Sequence, residues 1–254
     1  MIFADTETTG LDTLLDNVVS LCMVKVDDET GEIIDTRNQY FNPKVTLTEE
    51  ATKINGLTNE KLVNCPVFSD VADKIIEYVS RDTIVFHNAP FDMGILNSEF
   101  NRCGKSVDWN VIDSLELARN VMNSGHIRVK HNLNALAAYY KVDNLRGESH
   151  SSLADTQMLA KIYPLLVAHK QKLIEEKKYW EYKKLCELLK KQTVVLTGAT
   201  SNSRTFGGPC STKFLKPEEI GEIWQGKITV FSFLDHKKIT LWLNSLSVKG
   251  VQAY

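Results

Sequence analysis

The chain has 254 residues, 43% apolar and 24% charged, with a formal net charge of -2. That length can bury a full core, while five scattered cysteines with no C-x-x-C pair exclude a disulfide framework or thiolate zinc centre and fit a reducing, cytoplasmic setting. No run approaches the roughly 18 apolar residues of a membrane span, the MIFADTETTG start has no signal-peptide pattern, and a near-neutral chain must hold any nucleic acid through a local basic patch or bound metal ions.

In chain order, MIFADTET reads as a strand, NVVSLCMVKVD as a second and TRNQYFNPK as a third, with the turn-forming DDETGE between the last two. This order predicts an antiparallel meander. From Asn64 to Val79, Val67, Val71, Ile75 and Ile76 recur at helical spacing. A short apolar strand, TIVFH, follows, and then a helix from about Phe91 to Cys103. VDWNVIDS predicts another short strand, Asp113 or Ser114 caps a helix through LELARNVM, and Asn132 caps a helix in HNLNALAAYYKV. A loop, DNLRGESHSS, leads to a last helix starting near Leu153, in which Pro164 should kink the chain or mark a restart.

The stretch HKQKLIEEKKYWEYKKLCELLKK reads as a charged helical linker over 169–191. Its lysines alternate with Glu175, Glu176, Glu181 and Glu187, so a solvated amphipathic face is the better reading than a phosphate track. The remainder, 192–254, reads as a small α+β appendage: a strand in TVVLTG, a Gly/Ser/Asn-rich loop, a short helix in KPEEIGEIW, and a hairpin from KITVFSFLD and KKITLWLNSL. Its role stays open among partner binding, substrate gripping through Arg204, Lys213 and Lys216, and self-association through exposed strands. There is no internal repeat and no low-complexity tract.

Asp5 and Glu7 sit two apart in the opening strand, so alternation points both carboxylates to one face, and the TTG that follows allows a ligand to approach the backbone closely. Asp92 lies at a strand-to-helix transition, where binding residues of α/β proteins gather. His150 and Asp155 straddle the start of the last helix. Taken singly, each acid has a structural explanation: a solvated edge strand, or a helix N-terminus. Converging, they would repel one another and call for cations; hard oxygen ligands select Mg²⁺ or Mn²⁺, a pair of which suits phosphodiester hydrolysis. A histidine titrating near neutrality suits the proton transfer from water that committed carboxylates leave unfilled, and His150 is the candidate.

FADTETTGL, HNAPFD and HSSLAD, in this order, resemble the three motifs of the DnaQ-like DEDDh exonucleases, the group that includes polymerase proofreading subunits. ATKINGLTNEKL, VIDSLELAR and LNALAAYYKV are similar to intervening segments of that family, so the resemblance covers 1–168 and stops short of the appendage. The spacing H-x-x-x-x-D sets the chain apart from the sister group with a tyrosine in a shorter spacing. Asn55, where the family commonly has histidine, and Ser151 and Ser152, in place of its frequent basic or small residues, depart from the pattern.

The resemblance implies an α/β fold, a ribonuclease H-like mixed sheet flanked by helices, and a 3′-to-5′ exonuclease. It implies two divalent cations held by Asp5, Glu7, Asp92 and Asp155, with His150 as general base. Thr8, Leu11, His87, Asn88 and Phe91 would surround the terminal nucleotide, although Phe91 serves equally as a core residue at a helix start and His87 as the end of a buried strand. The expected partners are 3′ ends of DNA, with RNA ends as the alternative, and a polymerase or second copy through the appendage. A non-catalytic binding subunit is the competing class; it predicts a lost ligand, and none is lost.

Overall fold

The computed structural model describes residues 1–145 and 150–190, with 195–197, 212–213 and 229–231. The chain divides into two compact units, Met1–Leu173 and Ile174–Tyr254.

The first unit is built on a five-stranded sheet. Strands β1 (Ile2–Thr8), β2 (Val18–Val26) and β3 (Ile33–Tyr40) form the antiparallel meander. β4 (Ile84–Phe86) then pairs parallel to β1, and β5 (Val111–Asp113) parallel to β4, giving the order β3-β2-β1-β4-β5. The direction changes because β3 is followed by helices before β4, and a parallel neighbour needs such a crossover.

Alternation along the strands assigns two layers. Ile2, Ala4, Leu21, Met23, Ile84 and Phe86 face a core completed by α3 (Phe68–Val79) and α4 (Ala89–Arg102). Phe3 and Val85 face the other core, made with α5 (Ser114–Ser124), α6 (Leu133–Tyr140) and α7 (Ser152–Lys190). The expected caps are present: Asp113 accepts from the Leu115 N–H and Asn132 from the Ala135 N–H. Two short helices had no periodic signal. α1 (Glu49–Asn55) is set by its Thr48 cap and by Gly56 at φ 68°, and α2 (Asn59–Leu62) by its Thr58 cap.

α7 does not restart at Pro164, which lies inside one continuous helix. Met158, Leu159, Ile162 and Leu166 are all buried, so the apolar stripe that seats the helix runs past the proline on both sides. In the second unit, β6 (Val195–Thr197) pairs antiparallel with β7 (Thr212–Lys213) and with β8 (Thr229–Phe231). β6 lies in the expected TVVLTG strand and β8 in KITVFSFLD; the expected helix in KPEEIGEIW and the strand in KKITLWLNSL lie outside the described residues. Among the described residues, no helix is long and apolar enough to cross a membrane.

Phe100 is fully buried, with its ring edge-on to Phe68 at 5.1 Å and to Trp109 at 5.5 Å. Phe100→Ala is expected to destabilise the first unit by about 3–5 kcal/mol, read as a lower midpoint in urea unfolding.

Candidate active site

Asp5 and Glu7 continue the row of Phe3, so β1 presents them to the face that α7 covers. Asp155 lies in the first turn of α7 and meets them there; one carboxylate oxygen from each of Asp5, Glu7 and Asp155 lies within 4.8 Å of the others. The pairing of β1 with β2 shifts register between Glu7 and Thr8, a bulge at the point where β1 leaves the sheet for the site. At that spacing each pair of ionised carboxylates repels by about 3 kcal/mol for an effective dielectric of about 20. An all-oxygen donor set this close fits hard divalent cations.

Asp92 occupies the first turn of α4 and lines the same cleft, but it stands apart from that cluster. Alternation turns Thr6 toward α4, where its backbone N–H (3.2 Å) and hydroxyl (2.7 Å) both donate to Asp92 Oδ1. Burial pushes the Asp92 carboxyl up to about 7, against the lowering effect of the two Thr6 bonds. Cys22, opposite Asp5 on β2, is pushed up to about 11 by its burial and stays a neutral thiol.

His150 precedes α7 and is half-exposed. Its backbone N–H donates to the Ile54 carbonyl (2.8 Å), and its Nδ1 is 3.7 Å from Asp155 Oδ2. These groups line a cleft of about 750 Å³, together with Thr8, Leu11, His87, Asn88 and Phe91. Every site residue expected from the sequence therefore reaches one cavity.

The cleft walls are tightly braced. His87 Nε2 lies 2.8 Å from the His131 carbonyl, which can only accept, so in the neutral ring Nδ1 accepts from the Ser114 hydroxyl at 2.8 Å. With both nitrogens committed, His87 offers the cleft its carbon edge. Asn88 adopts φ 100° and ψ 51°, a left-handed conformation that asparagine tolerates better than most residues. Its N–H donates to Asp113 Oδ1, the same atom that caps α5. After β1, the loop folds around Asp16, which accepts from the Thr9 hydroxyl and the Asp12 N–H, and a Cβ on Gly10 would collide with that carboxylate. Leu11 is 85% exposed on this loop.

Two contributors escaped the sequence reading. Thr6 points away from the carboxylate face and has no motif of its own. Asn55, noted only as a departure, is buried, lines the cleft, and donates to the Thr8 carbonyl at 3.4 Å while accepting from the Leu57 N–H.

The raised Asp92 carboxyl fixes a pH dependence. Below about pH 4 the group is protonated in both folded and unfolded chains and costs nothing. As pH rises from there to about 7 the unfolded chain ionises first, so the folded protein loses stability, with the cost complete above that pH. In chelator, wild type should lose more stability between pH 5 and pH 8 than Asp92→Asn does, measured by urea unfolding at both pH values.

A sequence model of the RNase_T family, described as "Exonuclease", matches residues 2–163. The chain is 32% identical over 203 residues to the DNA polymerase III subunit epsilon of Buchnera aphidicola subsp. Acyrthosiphon pisum (strain APS), covering 75% of this chain and 81% of that protein. Its fold is similar to exonuclease X in complex with 5′ overhanging duplex DNA, with a TM-score of 0.53 and 24% identity over 66% of this chain and 90% of the other. It is also similar to the nuclease domain of 3′hExo, a DEDDh family member bound to rAMP, with a TM-score of 0.55 and 17% identity over 66% and 90%. The site geometry and these likenesses agree, and the chain belongs to the DnaQ-like, DEDDh exonuclease family.

Proposed function

We propose that this exonuclease is a metal-dependent enzyme that hydrolyses the terminal phosphodiester at the 3′ end of a DNA strand and releases nucleoside 5′-monophosphates. The observation that carries the reading is the convergence of Asp5, Glu7 and Asp155 in the cleft that His150 and Asp92 also line. Asp5, Glu7, Asp155 and Asp92 would hold two Mg²⁺ or Mn²⁺ ions. When bound, these supply charge neutralisation and Lewis acidity at the phosphate.

The protein's own groups account for the rest. His150 is half-exposed at the cleft, where a neutral imidazole can take the proton of an attacking water. Asp155 Oδ2 lies 3.7 Å from its Nδ1. Thr8, Leu11, Asn88 and Phe91, with the ring edge of His87, form walls for the terminal sugar and base. The apolar Leu11 and Phe91 contact a base without reading its identity, which suits an enzyme that must accept each nucleotide in turn.

DNA is favoured over RNA by the relationship to polymerase III epsilon subunits. The same relationship makes a polymerase the proposed partner, with residues 192–254 as its docking module or as a self-association surface. The test is digestion of 5′-labelled single-stranded DNA and RNA oligonucleotides with Mg²⁺, Mn²⁺ or chelator. A metal-dependent ladder shortening from the 3′ end of DNA is expected. Preference for RNA would replace the substrate assignment, and cleavage of neither would favour a binding subunit.

Asp5→Ala should abolish hydrolysis while leaving the metal-free fold as stable as wild type or more so, because it relieves the carboxylate repulsion. Normal turnover by the folded variant would sink the metal assignment. His150→Ala should lower kcat by roughly 10²- to 10⁴-fold with KM little changed, since a base acts in the transition state.

A further inference from the structure

Ser20 is a polar residue inside the apolar strand VVSLCMVKV, and Ser152 is the first residue of α7. Both are almost completely buried, at 1% and 2% exposure. Their hydroxyls lie 2.6 Å apart, and both reach Asn38 Oδ1 on β3, at 3.5 Å from Ser20 and 3.4 Å from Ser152. Asn38 in turn donates to the Tyr40 hydroxyl at 3.2 Å. The start of α7 is thus tied by side chains to two neighbouring strands.

The position of this tie gives it meaning. Ser20 pairs with Glu7 across β1 and β2, so the two side chains stand on the same face of the sheet. Ser152 precedes Asp155 by three residues, so these also share a face of the helix. The Asp155 N–H donates to the Ser151 carbonyl (2.9 Å), which places the tie and the carboxylate in one helical turn. α7 therefore meets the sheet through two adjacent contacts: the serine pair, and Asp155 beside Asp5 and Glu7, where like charges disfavour close approach and a cation would favour it.

We infer that Ser20, Ser152 and Asn38 form a buried latch that holds the first turn of α7 against the sheet and so preorganises the carboxylate cluster for metal. These are positioning residues. They act by fixing Asp155 and, through the adjoining backbone, His150. The inference rests on the metal-site reading above.

The test is direct Mn²⁺ binding by the full chain, followed by electron paramagnetic resonance of free Mn²⁺ without substrate. Wild type, Ser152→Ala, Ser20→Ala, the double variant and Asp5→Ala are compared, with unfolding midpoints in chelator measured alongside. The latch predicts Mn²⁺ binding on the order of tenfold weaker in Ser152→Ala and in the double variant, as for other groups that orient ligands. Exonuclease activity should then need a correspondingly higher Mg²⁺ concentration for its half-maximum, with kcat largely recovered at saturating metal. Ser152→Thr, which keeps the hydroxyl, should restore binding toward wild type. Unchanged Mn²⁺ affinity in both alanine variants, with only a lower unfolding midpoint, would reduce the serines to packing and overturn the latch. If wild type binds no Mn²⁺ more tightly than Asp5→Ala does, the metal site itself falls and the latch with it.

Discussion

Three carboxylates brought within 4.8 Å of one another are the constraint on which the first unit turns. Like charges this close disfavour the approach of α7 to the sheet, and the surrounding structure holds the cluster together. The apolar stripe of α7 does most of this, through Met158, Leu159, Ile162 and Leu166 packed with Phe3 and Val85. The remaining hold comes from polar ties at the rim: Ser152 to Ser20, the His150 N–H to Ile54, and Asn55 to the Thr8 carbonyl. A fold stabilised away from its site can tolerate repulsion within it, and a cation that binds only the folded arrangement then adds stability by mass action.

Asp92 shows the same economy from the other face of β1. Strand alternation turns Thr6 away from Asp5 and Glu7, and Thr6 compensates the burial of Asp92 with two hydrogen bonds to a single oxygen. The carboxyl is poised between protonated and ionised forms near neutral pH, so its charge state responds to whatever cation enters the cleft. One strand thus serves both sides of the site, with acids on one row and the residue that steadies the fourth acid on the other.

Much of this was legible in the residues. The D-x-E spacing on a strand, the strand-to-helix position of Asp92 and the H-x-x-x-x-D at a helix start each encode local geometry. The antiparallel meander and the strand-then-helix succession after it followed from the strand and helix periods, while the mixed sheet came from the family resemblance and the strand order was not read at all. What could not be read were contacts between distant segments. The Ser20 to Ser152 bond joins residues 132 apart, and nothing local in either serine announces the other. The solitary serine in an apolar run was a signal of a buried polar partner without naming it. α1 and α2 were missed because they are defined by caps and a left-handed glycine rather than by an apolar stripe. Of the two readings of Pro164, a kink within the helix or a restart, the restart is set aside, because the apolar stripe packs on both sides of the proline.

Where divalent cations bind decides the assignment of the site. Anomalous diffraction from crystals grown with Mn²⁺ and a nucleoside 5′-monophosphate would locate them directly. Two peaks held by Asp5, Glu7, Asp155 and Asp92 are expected, with the nucleotide between Leu11 and Phe91 and His150 facing its phosphate. Peaks confined to other surfaces, with the carboxylate cluster free of metal in the presence of nucleotide, would contradict it.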